Sequence, residues 1–342
     1  MNAIGNRIRL TLTGASHAPA VGFALEGVPA GHAVDMEALK FELFRRSAAA
    51  HELATERHEA DEPEDITGIE NGVTTGRVIT MSFANRKHER GEYRPIARPS
   101  HADYAAFVKS GGTEDISGGG RYSGRMTLPL TAAGAICRQI LSERGVEITA
   151  HVSAIGPIRD EGFDPVTVKT GLDPLFPLVN PALQSGMEAL IRSAREAGDT
   201  LSCEAECAVL GLPAGVGEPP AESVEGVISR MLFAVPGVRA VSFGEINPLG
   251  SQTNDQFTEG GATLTNRSGG VNGGMTNGMP LVFRCAFRPV PSLGLPQTGF
   301  DLVEKKPVPL TISGRHDTCI LPRGLAAVEA AAALAILDLT VE

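Results

Sequence analysis

Five short segments of the 342-residue chain carry side chains suited to chemistry. The first is TGASHA, which puts Ser16 and His17 at the end of a predicted strand, where catalytic side chains commonly sit. The second is RPSHADY, in which Pro99 restricts the backbone beside His101 while Arg98 and Asp103 flank the ring. A histidine titrates near neutrality, so either one suits proton transfer; either could equally be a structural turn residue. The third is GGGRYSGR, residues 118–125, whose glycines expose backbone N–H groups and whose Arg121 and Arg125 offer planar forks for phosphate or carboxylate. GRHD (314–317) sets Asp317 next to a histidine, as an orienting group or a base. TNRSGGVNGGMTNG (265–278) has no aliphatic run, and such backbone can lie close to a flat ligand.

These segments need elements to position them. Residues 7–13, 23–26, 76–84, 149–155, 202–211, 238–243 and 281–288 read as strands, with a short one at 311–313. Helices are expected at 36–47, capped by Asp35, and at 130–144, 181–197, 221–235 and 325–339. Residues 48–66 and 250–278 read as loops, and residues 85–122 as a long irregular segment whose cations favour a functional role. Strands and helices do not alternate in βαβ steps, and neither GxGxxG after a strand nor GxxxxGK[ST] is present. A doubly wound nucleotide fold is therefore not expected. No linker or repeat divides the chain, which reads as one α+β domain over residues 1–342.

Composition excludes some functions. A net charge of −10 and the absence of tryptophan argue against nucleic-acid binding. Even so, Arg45, Arg46, Arg57, Arg86, Arg90, Arg94, Arg98, Arg121 and Arg125 cluster early and suggest a local basic pocket. Five irregularly spaced cysteines suggest reduced thiols, and Cys203 and Cys207 lack the second ligand pair of a zinc site. The most apolar stretch, 325–339, is too short for a membrane span and carries Glu329 and Asp338; a buried helix is expected.

The segments GASHA, FRRSAAA, ERHEADEPEDITGIENGVTTG, RPSHADY, GGGRYSGRMT, TAAGAI, GLPAGVGEP, GSQTNDQF, TNRSGGVNGGMTNG, FRPVPS and GRHDTCILPRG, in this order, resemble the serial motifs of the chorismate synthase family. The resemblance runs from about residue 5 to residue 338. It implies a large α+β sandwich of β-sheets and helices, a cytoplasmic homotetramer, and a phosphate-eliminating carbon–oxygen lyase of the shikimate pathway. The reaction so implied converts 5-enolpyruvylshikimate 3-phosphate to chorismate, with reduced FMN and no net redox change. His17 then matches the histidine near the leaving phosphate, His101 the one near the flavin ring, and Asp317 the aspartate that assists deprotonation. Ser16 and Ser123 match serines that steady substrate and flavin. Flavin contacts fall on Arg121, Tyr122, Ser123, Gln252, Thr253, Gly273, Arg288, Pro289, Val290, Pro291, Ser292 and Arg315. Substrate arginines are Arg46, Arg98 and Arg125, with Arg45 and Arg57. No flavin-reductase segment is visible, so an external reductant is expected rather than the chain's own use of NADPH.

The chain also departs from the family pattern. Ala15 and Ala18 replace Glu and Gly, Ser100 replaces Gly, and Tyr122 and Met126 stand in the cofactor motif. Family arginines are replaced by Glu52, His58 and Leu130, a lysine by Arg288, and Lys-Gly by Arg239-Ala240. Loss of cations facing the substrate would weaken binding of a trianion. Two alternatives to retained activity follow: the same fold and flavin acting on a less anionic shikimate-like compound, or a flavin-binding paralogue without catalysis.

Overall fold

The C-terminal helix organises the molecule. A helix that is apolar on every side has to be surrounded, and every residue from Leu325 to Asp338 is buried. The computed structural model describes residues 3–53, 59, 61–86, 95–113, 117–312 and 317–341. Among these the helices are α1 (Met36–Arg46), α2 (Asp103–Ser110), α3 (Thr127–Glu143), α4 (Gln184–Glu196), α5 (Val224–Leu232), α6 (Gly250–Thr253) and α7 (Leu325–Thr340). None is long and apolar enough to cross a membrane.

Two five-stranded antiparallel sheets flank the helices. The first runs, in spatial order, Ala3–Ile4, Arg9–Gly14, Ala20–Glu26, Ile79–Ala84 and Glu64–Thr67. The second runs Ile158–Arg159, Glu147–Ile155, Cys203–Leu210, Leu281–Phe287 and Val238–Phe243. α3 packs on the first sheet and on α7; α7 packs on the second sheet and on α1 and α5. One contiguous apolar core results, an α+β sandwich with its helices inside. Small residues let the two central helices touch: a Cβ added to Gly134 would lie 2.4 Å from the Cβ of Ala330.

The two acids of α7 are satisfied, as buried charges must be. Glu329 accepts from Arg45 (2.6 Å), Arg138 (3.2 Å) and the N–H of Ala150 (3.1 Å). Asp338 accepts from the N–H groups of Asn6, Arg7 and Ile8. On the outer face of the second sheet, His151 bridges Asp160 (3.1 Å) and Glu206 (2.9 Å), and Arg284 pairs with Glu206 at 2.7 Å. That network fastens the 160–180 segment over the sheet. All five cysteines are buried thiols.

Several local expectations are corrected. The 85–122 segment contains α2, and Gly111 in the left-handed conformation (φ 62°) ends it. The 48–66 loop yields the edge strand Glu64–Thr67. The short strand expected at 311–313 is absent from residues 311–312. The chain forms strands Gln297–Asp301 and Lys306–Leu310 instead. Pro307 and Pro309 are tolerated because their strand lies at the edge of a three-stranded sheet with Gln297–Asp301 and Ile96–Ala97. This small sheet leads directly into the His101 segment.

Candidate active site

Two adjacent arginines at the end of α1 go opposite ways, because successive residues on a helix point about 100° apart. Arg45 turns into the core, donating to Glu42 (2.6 Å), Glu329 (2.6 Å) and the carbonyl of Pro174 (3.0 Å). Arg46 turns to the start of α3, donating to Thr127 Oγ1 (2.9 Å), the Gly124 carbonyl (3.1 Å) and Asp61 (3.3 Å). Arg125 joins the same cluster, with Asp61 at 2.5 Å, Glu59 at 3.3 Å and Asn85 Oδ1 at 3.0 Å. Asp317 is held by Arg323. Burial, then the nearby Arg323, pushes the pKa of Arg46 down to about 9, against the pull of Asp61. The guanidinium stays protonated at neutral pH, and the lowered value shows that an added anion would be favoured there.

Asn85 couples this cluster to the His17 turn. Its Oδ1 accepts from Arg125, and its Nδ2 donates to the carbonyls of Ala15 (3.2 Å) and Ala18 (2.7 Å). The Ser16 N–H donates to the Gly120 carbonyl at 3.1 Å, which docks the turn on the glycine triplet. Gly118 and Gly119 have φ of 59° and 91°, the left-handed side that glycine adopts without a steric cost. The His17 ring lies so close to Gly118 that a Cβ there would sit 2.0 Å from its Cε1. At Gly119 the corresponding neighbour is the His101 ring, 3.4 Å from a Cβ. The glycine triplet thus brings the two histidines, 84 residues apart in the chain, onto one short backbone segment.

His101 is oriented from behind. Its Nδ1 lies 2.6 Å from Asp103, which also accepts from Arg98 Nε (2.7 Å) and Nη2 (2.9 Å). Arg98 Nη2 also approaches the same ring nitrogen, at 3.1 Å. Two donors cannot share one bond, so the shorter contact to the carboxylate assigns the proton to Nδ1 and leaves Nε2 for chemistry. Burial works to raise the Asp103 pKa, but the hydrogen bonds from His101 and Arg98 outweigh it and hold the carboxyl well below its ordinary range. Arg98 Nη1 donates to the buried Ser292 at 3.2 Å, which ties the 288–292 segment to His101.

The residues expected to touch flavin fall into two groups. Arg121, Tyr122 and Ser123 directly follow the glycine triplet; the Arg121 guanidinium lies 5.9 Å from the Tyr122 ring centre, and Ser123 Oγ caps the Arg125 N–H. Pro289, Val290, Pro291 and Ser292 continue from Arg288, whose N–H donates to the Gly237 carbonyl. Burial and then Arg239 lower the Arg288 pKa. Gln252 and Thr253 in α6, and Gly273 in the turn between Val271–Asn272 and Met275–Thr276, belong instead to the 250–278 segment. That segment packs near α5, where Gly274 lies against Ser223. It also exposes Phe257 and Leu264, and Leu249 just before it is exposed as well. Arg57 and Arg315 lie outside the described residues, as does His58.

The Leu130 side chain on α3 lies in the apolar core; it is 2% exposed, and Met126, one turn earlier, is 5% exposed. The expectation that its side chain marks a missing substrate cation is corrected accordingly. Sequence reading assigned no role to Glu59, Asp61, Asn85 or Arg323. The two acids lie in the charged ERHEADEPED run, and Arg323 in CILPRG. Only a demand for partners to so many arginines could have flagged them.

A carboxylate-backed histidine, a second histidine on a glycine run and a buried guanidinium cluster define an enzyme site suited to moving protons beside an anionic small molecule. The family model for chorismate synthase matches residues 8–341. A chorismate synthase of Dehalococcoides mccartyi is 38% identical over 351 residues, covering 99% of this chain and 96% of its own. One from Thermococcus gammatolerans is 38% identical over 344 residues, covering 98% and 96%, and one from Thermococcus kodakarensis is 39% identical over 344 residues. A crystal structure of a chorismate synthase superposes with a TM-score of 0.73 at 23% identity, covering 98% of this chain and 92% of that one. The chain belongs to the chorismate synthase family.

Proposed function

We propose that this chain is a carbon–oxygen lyase that forms chorismate from 5-enolpyruvylshikimate 3-phosphate by 1,4-elimination of phosphate. The observation that carries this reading is the meeting of His17 and His101 on Gly118 and Gly119, beside the Arg46–Arg125 cluster. Arg46 and Arg125 bind the substrate's anionic groups, taking contacts that Asp61 and Glu59 hold in the free protein. His17, on the same side of the triplet as Ser16, donates a proton to the departing phosphate. Asp317, held in place by Arg323, assists removal of the allylic proton.

The residues present fit FMN. The glycine triplet sets bare backbone against the His17 and His101 rings, and His101 presents Nε2 beside it. Arg121, Tyr122, Ser123 and the 288–292 segment would hold the cofactor near His101. Bound in its reduced form, FMN supplies electron density as the C–O bond breaks. Gln252, Thr253 and Gly273 complete the flavin site from the 250–278 segment, whose exposed Phe257 and Leu264 suit contacts between subunits of a homotetramer. Arg45 is left out of the substrate set because its guanidinium is already committed to Glu42 and Glu329. The whole chain forms one domain, acts in the cytoplasm and takes reduced flavin from an external reductant.

One observation favours a second reading, a less anionic shikimate-like substrate. Among the described residues Arg46, Arg125 and Arg323 face Glu59, Asp61 and Asp317, so the cluster is formally neutral. A flavin fluorescence titration separates the readings. Tighter FMN binding with 5-enolpyruvylshikimate 3-phosphate than with shikimate supports the first; the reverse order supports the second.

A further inference from the structure

A second cavity, of about 270 Å³, opens between residues 50–53, residues 173–176, α4 and residues 319–323. Of the residues placed above in the candidate active site, Arg323, which holds Asp317, also lines it. Leu53, Phe176, Ile191 and Leu321 supply apolar wall between the cavity's polar and charged groups. Its charged groups are unevenly matched. Arg192 already pairs with Glu188 at 3.4 Å, and Arg323 with Asp317. The Asp173 carboxylate accepts from the N–H groups of Leu175 (2.8 Å) and Phe176 (3.3 Å). His51 donates through Nε2 to the Arg45 carbonyl at 2.7 Å, and burial lowers its pKa, so it adds no positive charge at neutral pH.

Glu52, like Asp173, lacks a cation partner among the described residues. It stands at the exposed rim of this cavity. The uncompensated charge is therefore negative and lies above an apolar floor. Both guanidiniums that could have attracted an anion are already engaged. At just under the usual range of ligand pockets, about 300–1,000 Å³, the cavity suits a ligand smaller than a drug-sized one.

We propose that this cavity is a second ligand site, for a small molecule with an apolar body and one primary ammonium group, the ammonium facing Glu52 and the body packing on Phe176 and Ile191. Such a site gives Glu52 a role of its own.

The test uses the full chain loaded with FMN and two probes that share a ring but differ in head group, phenethylamine and 3-phenylpropionate. Calorimetric titration should show phenethylamine binding about tenfold more tightly than 3-phenylpropionate. Glu52→Gln, at the exposed rim, should fold normally and weaken phenethylamine about fivefold, a solvated carboxylate being worth less than a buried one. Ile191→Phe, which fills the floor, should abolish it. Absence of phenethylamine binding to the folded protein overturns the proposal. Equal or tighter binding of 3-phenylpropionate does so too, as does binding that Glu52→Gln leaves unchanged. FMN affinity, measured on the same samples, reports the flavin site separately.

Discussion

Replacing Gly118 by alanine tests whether the glycine triplet positions His17. The added Cβ would lie 2.0 Å from the His17 Cε1 and 2.4 Å from its Nδ1. Ordinary contact begins at 3.4 Å, so the ring has to retreat by roughly 1.4 Å or the loop has to move. A misplacement of about 1 Å can cost about 10²-fold in rate. The left-handed backbone at φ 59° adds about 1–2 kcal/mol of strain for any L-residue. Gly119→Ala is the control. Its backbone is at least as strained, at φ 91°, but its Cβ would meet His101 at 3.4 Å, an ordinary contact. Both variants should melt a few degrees lower. Gly118→Ala should also lose about 10²-fold in kcat for phosphate release, with a much smaller loss in Gly119→Ala. Equal losses in the two, or full activity in Gly118→Ala, would refute the placement of His17 by this backbone.

Other expectations concern the supports of the site. Asp103→Asn can no longer hold the Nδ1 proton of His101 as a carboxylate does, and kcat should fall by about 10²–10⁴; the melting temperature should fall as well, because Arg98 loses its carboxylate partner. Leu130→Arg, which restores the residue expected from the family pattern, should lower stability by about 3 kcal/mol or more in urea titrations, because it buries a charge in an apolar core. A gain in substrate affinity from that change would show that the position faces the site after all. Asp103 and Glu206 both have folded-state pKa values below the ordinary carboxylate range. Such groups stabilise the fold above their unfolded values and lose that contribution as the pH falls through the folded ones. Urea stability should therefore drop below about pH 4, and the drop should be smaller in Glu206→Gln.

The parts of this molecule that were legible in its sequence are those where one residue pattern admits one environment. The stretch beginning at Leu325 is apolar on every side, so it could only be a core helix. Alternation marked the strand Cys203–Leu210 in the same way. The strand Lys306–Leu310 was hidden by two prolines that are acceptable only at a sheet edge, and edges are set by the rest of the fold. α2 was hidden because DYAAFVKS is short and lies within a polar segment. At the site, residue types could be read but not their pairings. Arg45 and Arg46 are indistinguishable in the chain, yet one meets Glu329 and the other Asp61. Asn85 carries no local signature, because its role comes from carbonyls 70 and 67 residues away. Met126 and Leu130, four residues apart, both depart from the family pattern, and both are buried in one core. Read singly, either looks like a lost charge; together they are an apolar exchange within that core.

Turnover itself is the most direct test. The purified chain, dithionite-reduced FMN and 5-enolpyruvylshikimate 3-phosphate are mixed without oxygen, and chorismate absorbance and free phosphate are followed together. The account predicts equal amounts of chorismate and phosphate, no reaction with oxidised FMN, and strong loss in His17→Ala and His101→Ala. Folded protein that binds reduced FMN and this substrate yet releases neither product would contradict it.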